Sequence, residues 1–137
     1  MIKKKSLSKV IKDTWDLFST YIRKRDCKKA TGTLTTGRCY TCGRLIHYAE
    51  CDAGHYVSRR FKSTLLDERN VNSQCKRCNS FPDATTYRRY REHLIKDYGD
   101  GIDIELEETT QEIKKWTIPE LLELQAEIKE KIKTLEV

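Results

Sequence analysis

Four of the six cysteines form two Cys-x-x-Cys pairs, Cys39/Cys42 and Cys75/Cys78. A short pair of this kind bends two thiolates towards one ion, and four thiolates complete the closed tetrahedron of a structural Zn²⁺ site. The spacing therefore predicts one structural zinc ion. The alternative is a pair of disulfides, as in a small secreted domain. Residues 1–5 contain three lysines and no hydrophobic signal segment, which favours zinc.

The two remaining cysteines, Cys27 and Cys51, stand in no paired spacing. We interpret both as reduced thiols, and the alternative is that one of them replaces a predicted zinc ligand. Unpaired thiols suit a reducing cytosol, so a cytoplasmic location is predicted. The sequence has no run of about 18 apolar residues, which excludes a membrane-spanning helix.

The net charge of +6 is distributed unevenly along the 137 residues. Residues 1–96 contain 22 lysines and arginines against 9 acidic residues, a balance of +13, whereas residues 97–137 contain 5 against 12, a balance of −7. A strongly basic region is typical of proteins that bind a polyanion, because each neutralised phosphate releases condensed counterions. The alternative is an ordinary solvated surface. We therefore predict a nucleic-acid partner for the first 96 residues.

Helices and strands must position these groups. Apolar residues recur every three or four positions over residues 6–26, which predicts an amphipathic helix, and the composition of 28–37 is typical of a loop. Residues 45–48 and 55–57 are predicted to form two short strands or a bulged hairpin, with 52–54 as the turn or bulge between them.

Three helices are predicted beyond the second cysteine pair. A short one begins at about Asn79, a second spans residues 85–98, and the last begins with the capping box Thr117-x-x-Glu120. The last helix carries an apolar seam of residues spaced by three and four, which are Leu121, Leu124, Ile128, Ile132 and Leu135. Such a seam can pair with a second copy to give a homodimer, or can pack on its own domain, and the repeat is too short to decide.

This order of elements resembles the HNH (His-Me finger, ββα-metal) endonucleases, and more closely the phage recombination proteins of the NinG/Rap type. The match covers roughly residues 15–100. The motifs that carry it are Trp15-Asp16-Leu17-Phe18-Ser19, Tyr21-Ile22-Arg23, Cys39-Tyr40-Thr41-Cys42-Gly43, Asp52-Ala53-Gly54-His55-Tyr56 and Asn70-Val71-Asn72-Ser73-Gln74-Cys75-Lys76-Arg77-Cys78-Asn79.

The resemblance implies an α+β fold with a small ββα-metal core and a structural four-cysteine zinc site, flanked by N- and C-terminal helices. Its regions would be a basic helix and loop (1–37), a zinc-clamped nuclease core (38–100) and an acidic helical extension (101–137). The implied function is a metal-dependent DNA endonuclease that hydrolyses phosphodiester bonds. Its implied substrates are branched recombination intermediates, such as Holliday junctions or D-loops, during phage recombination in the host cell.

The resemblance also implies roles for individual residues. Phosphodiester cleavage needs a base that deprotonates water. His55 is the candidate, because an unperturbed histidine pKa of about 6.5 leaves the ring largely neutral at cellular pH. By the family pattern, Asn70 orients the His55 ring through its side-chain carbonyl.

A second, harder cation is implied beside this base. By the family pattern, Asn79 is one of its ligands, and oxygen ligands suit Mg²⁺ or Mn²⁺. The commonest HNH pattern has an aspartate or histidine immediately before the base, where this chain has Gly54. We expect Asp52 to replace that ligand, provided that a bulge turns it to the side of the strand that carries His55. The alternatives are Asp67, Glu68 and Asp83.

Basic side chains around these motifs are predicted to contact DNA phosphates, and they are Arg59, Arg60, Lys62, Lys76, Arg77, Arg88 and Arg89. Such contacts give affinity without selecting bases. The alternative function is a non-catalytic zinc-ribbon protein that binds nucleic acid and in which His55 has no chemical role. Metal-dependent cleavage separates the two functions.

Overall fold

The computed structural model describes residues 4–137. Residues 1–3, which form part of the segment used above against a signal peptide, lie outside the described residues. The elements in chain order are α1 (Leu7–Thr31), β1 (Thr36–Arg38), β2 (Leu45–His47), a 3₁₀ turn (Tyr48–Glu50), β3 (Cys51–His55), α2 (Lys62–Leu65), β4 (Val71–Cys75), α3 (Lys76–Ser80), α4 (Ala84–Tyr98), α5 (Ile102–Thr109) and α6 (Ile118–Glu136). The predicted combination of helices and strands is confirmed.

Helix α1 is longer than the sequence pattern predicts. The Ser6 side chain caps its N-terminus, and Gly32, in the left-handed conformation with φ of 76°, ends it. The prediction of a loop over residues 28–37 is wrong, because the helix continues to Thr31 and β1 begins at Thr36. The last turns stay helical because Cys27 is fully buried against other cysteines and Ile46, so that packing holds this part of the helix in place.

The strands form two separate antiparallel pairs. β1 pairs with β2, and β3 pairs with β4 in a register that runs from Cys51 opposite Cys75 to His55 opposite Val71. Of the two predicted alternatives, the hairpin is wrong, since the partner of the histidine strand is β4, whereas two separate short strands are present, with β3 ending at His55 rather than beginning there. Each residue of β3 also faces one residue of β4, so the predicted bulge at residues 52–54 does not form.

The main hydrophobic cluster lies between α1, the β3–β4 pair and α6. Its buried members are Phe18, Tyr21, Ile22, Val71 and Ile128. All five residues of the predicted apolar seam on α6 are buried or packed within the chain, and four of them belong to this cluster or pack against it. Because α6 packs along α1, the structure supports the intramolecular alternative for this seam.

A second cluster holds the acidic C-terminal part against the centre of the chain. It contains Val57 from the loop after β3, Tyr90 and Leu94 from α4, and Ile102 and Leu106 from α5. The two clusters together contain side chains from all three regions proposed above, so the regions are joined by a shared core. Within residues 4–137, no helix combines the length and apolar composition needed to cross a membrane.

Candidate metal centre and catalytic cleft

The two cysteine pairs meet in space. The sulfur atoms of Cys39, Cys42, Cys75 and Cys78 all lie within 4.8 Å of one another, and the Cys42 and Cys75 sulfurs are 3.9 Å apart. Four sulfurs at about 2.3 Å from a tetrahedral zinc ion would be separated by about 3.8 Å. All four are free thiols, in contrast to the disulfide alternative. The donor set therefore fits a structural metal such as zinc.

Local backbone geometry directs these thiols inwards. The backbone N–H groups of Cys42 and Cys78 donate to the sulfurs of Cys39 and Cys75, each at 3.5 Å. Gly43 has a φ of 77°, a left-handed conformation that lets the backbone reverse direction after the first cysteine pair, and its N–H donates to the Cys39 carbonyl. Burial by itself raises the pKa of the Cys39 thiol, but the surrounding N–H and hydroxyl donors outweigh it and lower the pKa to about 6. A lowered pKa favours the thiolate that binds metal.

Cys27 and Cys51 do not belong to this group. Both are buried and their side chains contact each other, while Cys51 faces the ligand Cys75 across the β3–β4 pair. Burial raises the pKa of the Cys27 thiol and raises that of Cys51 to about 12. Both are therefore neutral core residues, as the sequence interpretation of reduced thiols expects, and neither replaces a predicted ligand.

His55 occupies the last position of β3 and is held from two sides. Its ring stacks on Trp15 of α1, with centroids 4.8 Å apart and planes inclined by 28°. Its Nε2 atom lies 3.1 Å from the Leu65 carbonyl oxygen. Because a carbonyl only accepts, Nε2 must carry the proton, which leaves the lone pair of a neutral ring on Nδ1.

Desolvation by burial lowers the pKa of His55 to about 4, while the Leu65 carbonyl opposes this shift and the charge of Arg59 adds to it. The ring is consequently neutral at pH 7. The Nδ1 atom of this neutral ring has a lone pair that can accept a proton.

Asn70 does not contact the His55 ring, so the predicted direct contact is wrong. Its fully buried carboxamide accepts from the Val57 N–H at 2.7 Å and donates to the carbonyls of Val57 and Thr64, both at 3.1 Å. A buried amide with these three bonds has little capacity left for a ring. Asn70 therefore fixes the loop between β3 and β4, which supplies the Leu65 carbonyl that holds His55.

The two predicted ligands of the second cation are brought together. The Asn79 side chain on α3 donates to the Asp52 carboxylate on β3 at 3.1 Å. Lys76 binds the same carboxylate at 2.8 Å, so this lysine, which was predicted to contact DNA, is paired within the protein.

Gln74 is a neighbour of this pair that the sequence analysis missed. It lies directly opposite Asp52 in the β3–β4 register, and a methyl group added at Gly54 would overlap its carboxamide oxygen and lie 3.0 Å from the Asn79 Oδ1 atom. The Gln74 amide nitrogen donates to the Thr41 hydroxyl, which aims the oxygen towards Gly54. The Gln74 and Asn79 oxygens therefore lie next to the glycine, and the Asp52 carboxylate is joined to Asn79 by the hydrogen bond described above. We call the side-chain oxygens of Asp52, Gln74 and Asn79 the oxygen cluster.

The side chains of His55 and Asp52 leave opposite faces of β3, although His55 also lines one narrow cleft together with Gln74 and Asn79. Since the predicted bulge is absent, the alternation of side chains in a regular strand separates His55 from Asp52. The contacts agree, because His55 stacks on α1 whereas Asp52 binds residues of α3. Within residues 4–137, β3 pairs with β4 alone, so its other edge is unpaired.

The remaining predicted DNA-binding side chains are exposed and lie in three places. Arg59 and Lys62 line a cavity of about 270 Å³ beside Trp15 and Lys12, and the Arg59 guanidinium lies 5.3 Å from the Trp15 ring centre. This group is on the side of β3 that carries His55.

Arg77 and Arg89, together with Arg44, line a cleft of about 440 Å³ that also includes three of the four cysteines. Arg88 lines a third cavity. Arg60 lies over the Phe61 ring at 4.8 Å. Contacts of these arginines with phosphate remain predictions.

The chain matches the family model described as Bacteriophage Lambda NinG protein over residues 1–137. Protein ninG of Escherichia phage lambda is 32% identical over 126 residues, which cover 91% of this chain and 56% of that protein. Protein ninG of Salmonella phage P22 is also 32% identical over 126 residues, covering 91% and 57%. The chain thus spans little more than half the length of these relatives. No solved structure matches it.

Replacement of Cys78 by alanine should abolish metal binding and unfold the thiol-bearing part of the chain. A structural zinc site contributes about 10–16 kcal/mol in small zinc domains, which is comparable to the entire stability of a typical protein. We expect one zinc per chain in the wild type and none in Cys78→Ala, together with a large fall in melting temperature. Cys51→Ala is the matched control and should retain zinc. Full zinc content in Cys78→Ala would contradict the assignment.

The lowered pKa of His55 should make stability depend on pH. Above pH 6.5 neither state binds a proton at this ring, but below it the unfolded state is protonated while the folded state stays neutral down to about pH 4. At pH 5 this difference amounts to about 2 kcal/mol of lost stability. We expect His55→Gln to lose about 2 kcal/mol less than the wild type between pH 7 and pH 5 in denaturant unfolding. Equal losses would show that His55 titrates normally.

Proposed function

The chain belongs to the NinG family, and from this membership together with the site geometry we propose that it is a metal-dependent DNA endonuclease of the HNH type. His55 is the proposed general base and the oxygen cluster holds the catalytic cation. The observation that carries the proposal is the hydrogen bond between the His55 Nε2–H and the Leu65 carbonyl, because it leaves the basic Nδ1 lone pair on a neutral ring.

The oxygen cluster fits a hard divalent cation. Asp52 offers a carboxylate, and Gln74 and Asn79 offer carboxamide oxygens, which are the donor types that Mg²⁺ and Mn²⁺ bind. Because Gly54 has no side chain, the Gln74 and Asn79 oxygens can lie close to the backbone of β3, in space that a methyl group at this position would need. A cation held there would supply charge stabilisation for the phosphorane and the leaving oxygen.

We propose that the scissile phosphate binds at the unpaired edge of β3. A phosphate there would lie near both His55 and the oxygen cluster, because His55 lines one narrow cleft with two residues of that cluster. His55 then takes the proton of the attacking water, while Trp15 and Leu65 hold its ring and Asn70 holds the loop that carries Leu65. The bulge expected from the sequence is not required for this arrangement.

The DNA substrate is proposed from the family resemblance. Exposed basic groups near β3, among them Arg59 and Arg77, are proposed to bind the DNA strands that enter and leave the cleft. Branched recombination intermediates such as Holliday junctions or D-loops are the proposed targets. A protein that binds nucleic acid without cleaving it is the competing function that the following experiment excludes or establishes.

Removal of the base should abolish cleavage and leave DNA binding intact. Loss of a general base costs about 10²–10⁴-fold in rate. We expect the wild type to nick junction and flap DNA with Mg²⁺ or Mn²⁺, and His55→Ala to show that loss with unchanged affinity. His47→Ala, which alters an exposed histidine outside the cleft, should cleave like the wild type. Equal DNA binding by all proteins with no metal-dependent cleavage by any of them would establish the non-catalytic alternative.

Replacement of Gln74 by leucine should weaken binding of the catalytic cation. The change removes the oxygen above Gly54 with little change in side-chain volume. Loss of a group that supports a metal site typically lowers metal affinity by about 10–100-fold. We expect the Mn²⁺ concentration for half-maximal cleavage to rise by about tenfold or more.

Gln125→Leu is the matched control, since Gln125 also donates to a threonine hydroxyl, Thr14, but lies on α6. If Gln74→Leu needs the same Mn²⁺ concentration as the wild type, Gln74 does not help to bind the catalytic cation.

A further inference from the structure

A large cavity lies beside the proposed cleavage site. It has a volume of about 560 Å³, and its lining includes Tyr56, Phe61, Tyr87, Arg88, Arg91 and Glu107. Tyr87 also lines the narrow cleft that contains His55, Gln74 and Asn79. Tyr56 follows His55 directly in the chain. The cavity therefore lies next to the place where the proposed function puts the scissile phosphate.

The lining combines aromatic rings with guanidinium groups. Tyr87 projects from α4 with 52% of its surface exposed. Tyr56 and Phe61 are partly buried, so their positions are fixed, and the Phe61 ring carries Arg60 over one face. Exposed aromatic faces next to arginines are typical of surfaces on which bases of single-stranded nucleic acid stack.

The charges inside the cavity favour a base over a phosphate. Glu107 is part of the lining and accepts a hydrogen bond from the Tyr56 hydroxyl at 2.9 Å. Its carboxylate would repel a phosphate, but it can accept from the amino group of a base. Arg88 and Arg91 can meet the phosphates on either side of that base.

We propose that this cavity takes one unpaired nucleobase next to the scissile phosphate, stacked on Tyr87. The faces of a paired base are covered by its neighbours in duplex DNA, so only an unpaired or flipped base can stack on an aromatic side chain. The cavity volume lies within the range of about 300–1,000 Å³ for small-molecule sites. The inference rests on the proposed function, and it specifies the substrate as DNA with unpaired nucleotides at the cleavage site.

The test measures DNA binding without cleavage, in the His55→Ala background and without added divalent cation. Two probes are used, a fluorescent single-stranded oligonucleotide and the matching duplex, at one fixed salt concentration. Loss of one base stack lowers affinity by about 5- to 150-fold. We expect Tyr87→Ala to bind the single strand at least about fivefold more weakly and the duplex with unchanged affinity. Tyr87→Phe, which keeps the ring, should bind both probes normally.

Tyr98→Ala is the matched control, since Tyr98 is another exposed tyrosine of α4 and does not line the cavity. It should leave both affinities unchanged. The inference is overturned if Tyr87→Ala lowers the affinity for both probes equally, or if it leaves the affinity for both unchanged. This test measures binding and not cleavage. A wild-type protein that fails to cut DNA would therefore refute the proposed function, and the effect of Tyr87→Ala on single-strand affinity could still be measured.

Discussion

The four thiols are the constraint on which the rest of the arrangement depends. The chain has only short strands, and the sulfur cluster joins the turn after β1 to the point where β4 becomes α3. Thr41 lies within the first cysteine pair, contacts the Cys39 sulfur at 3.4 Å and accepts from Gln74 at 3.2 Å. The structural metal site is therefore connected by hydrogen bonds to the oxygen cluster. A metal that holds the thiols also holds the carboxamide whose oxygen faces Gly54.

The other side of β3 is held by buried hydrogen bonds. Asn70 closes the loop after β3, and the Tyr90 hydroxyl donates to the Gly54 carbonyl at 2.7 Å and accepts from Asn72. Buried polar groups cost free energy unless they are paired. Among the described residues, the Ser73 hydroxyl is the one buried side-chain group without a partner. This nearly complete pairing explains how a small core can hold a histidine strand in one register.

The sequence predicted the cysteine cluster, because each Cys-x-x-Cys spacing constrains local geometry strongly. It also proposed Asp52 and Asn79 as ligands of one cation, and the structure joins their side chains by a hydrogen bond, although the bulge on which the choice of Asp52 depended does not form. It failed where strand partners decide the outcome. The hairpin was wrong because β3 pairs with β4, which follows it in the chain only after the loop that contains α2. Gln74 was missed for the same reason, since its position opposite Asp52 is visible only once that register is known. Asn70 was recognised as important, but its carboxamide acts on the loop backbone rather than on the ring.

Anomalous diffraction from crystals grown with Mn²⁺ would test the central claim most directly, because it locates both metals at once. We expect zinc among the sulfurs of Cys39, Cys42, Cys75 and Cys78, and manganese among the oxygens of Asp52, Gln74 and Asn79. Two separate peaks at these positions are the expected result. Zinc missing from the sulfurs, or manganese bound away from the oxygen cluster, would contradict the claim.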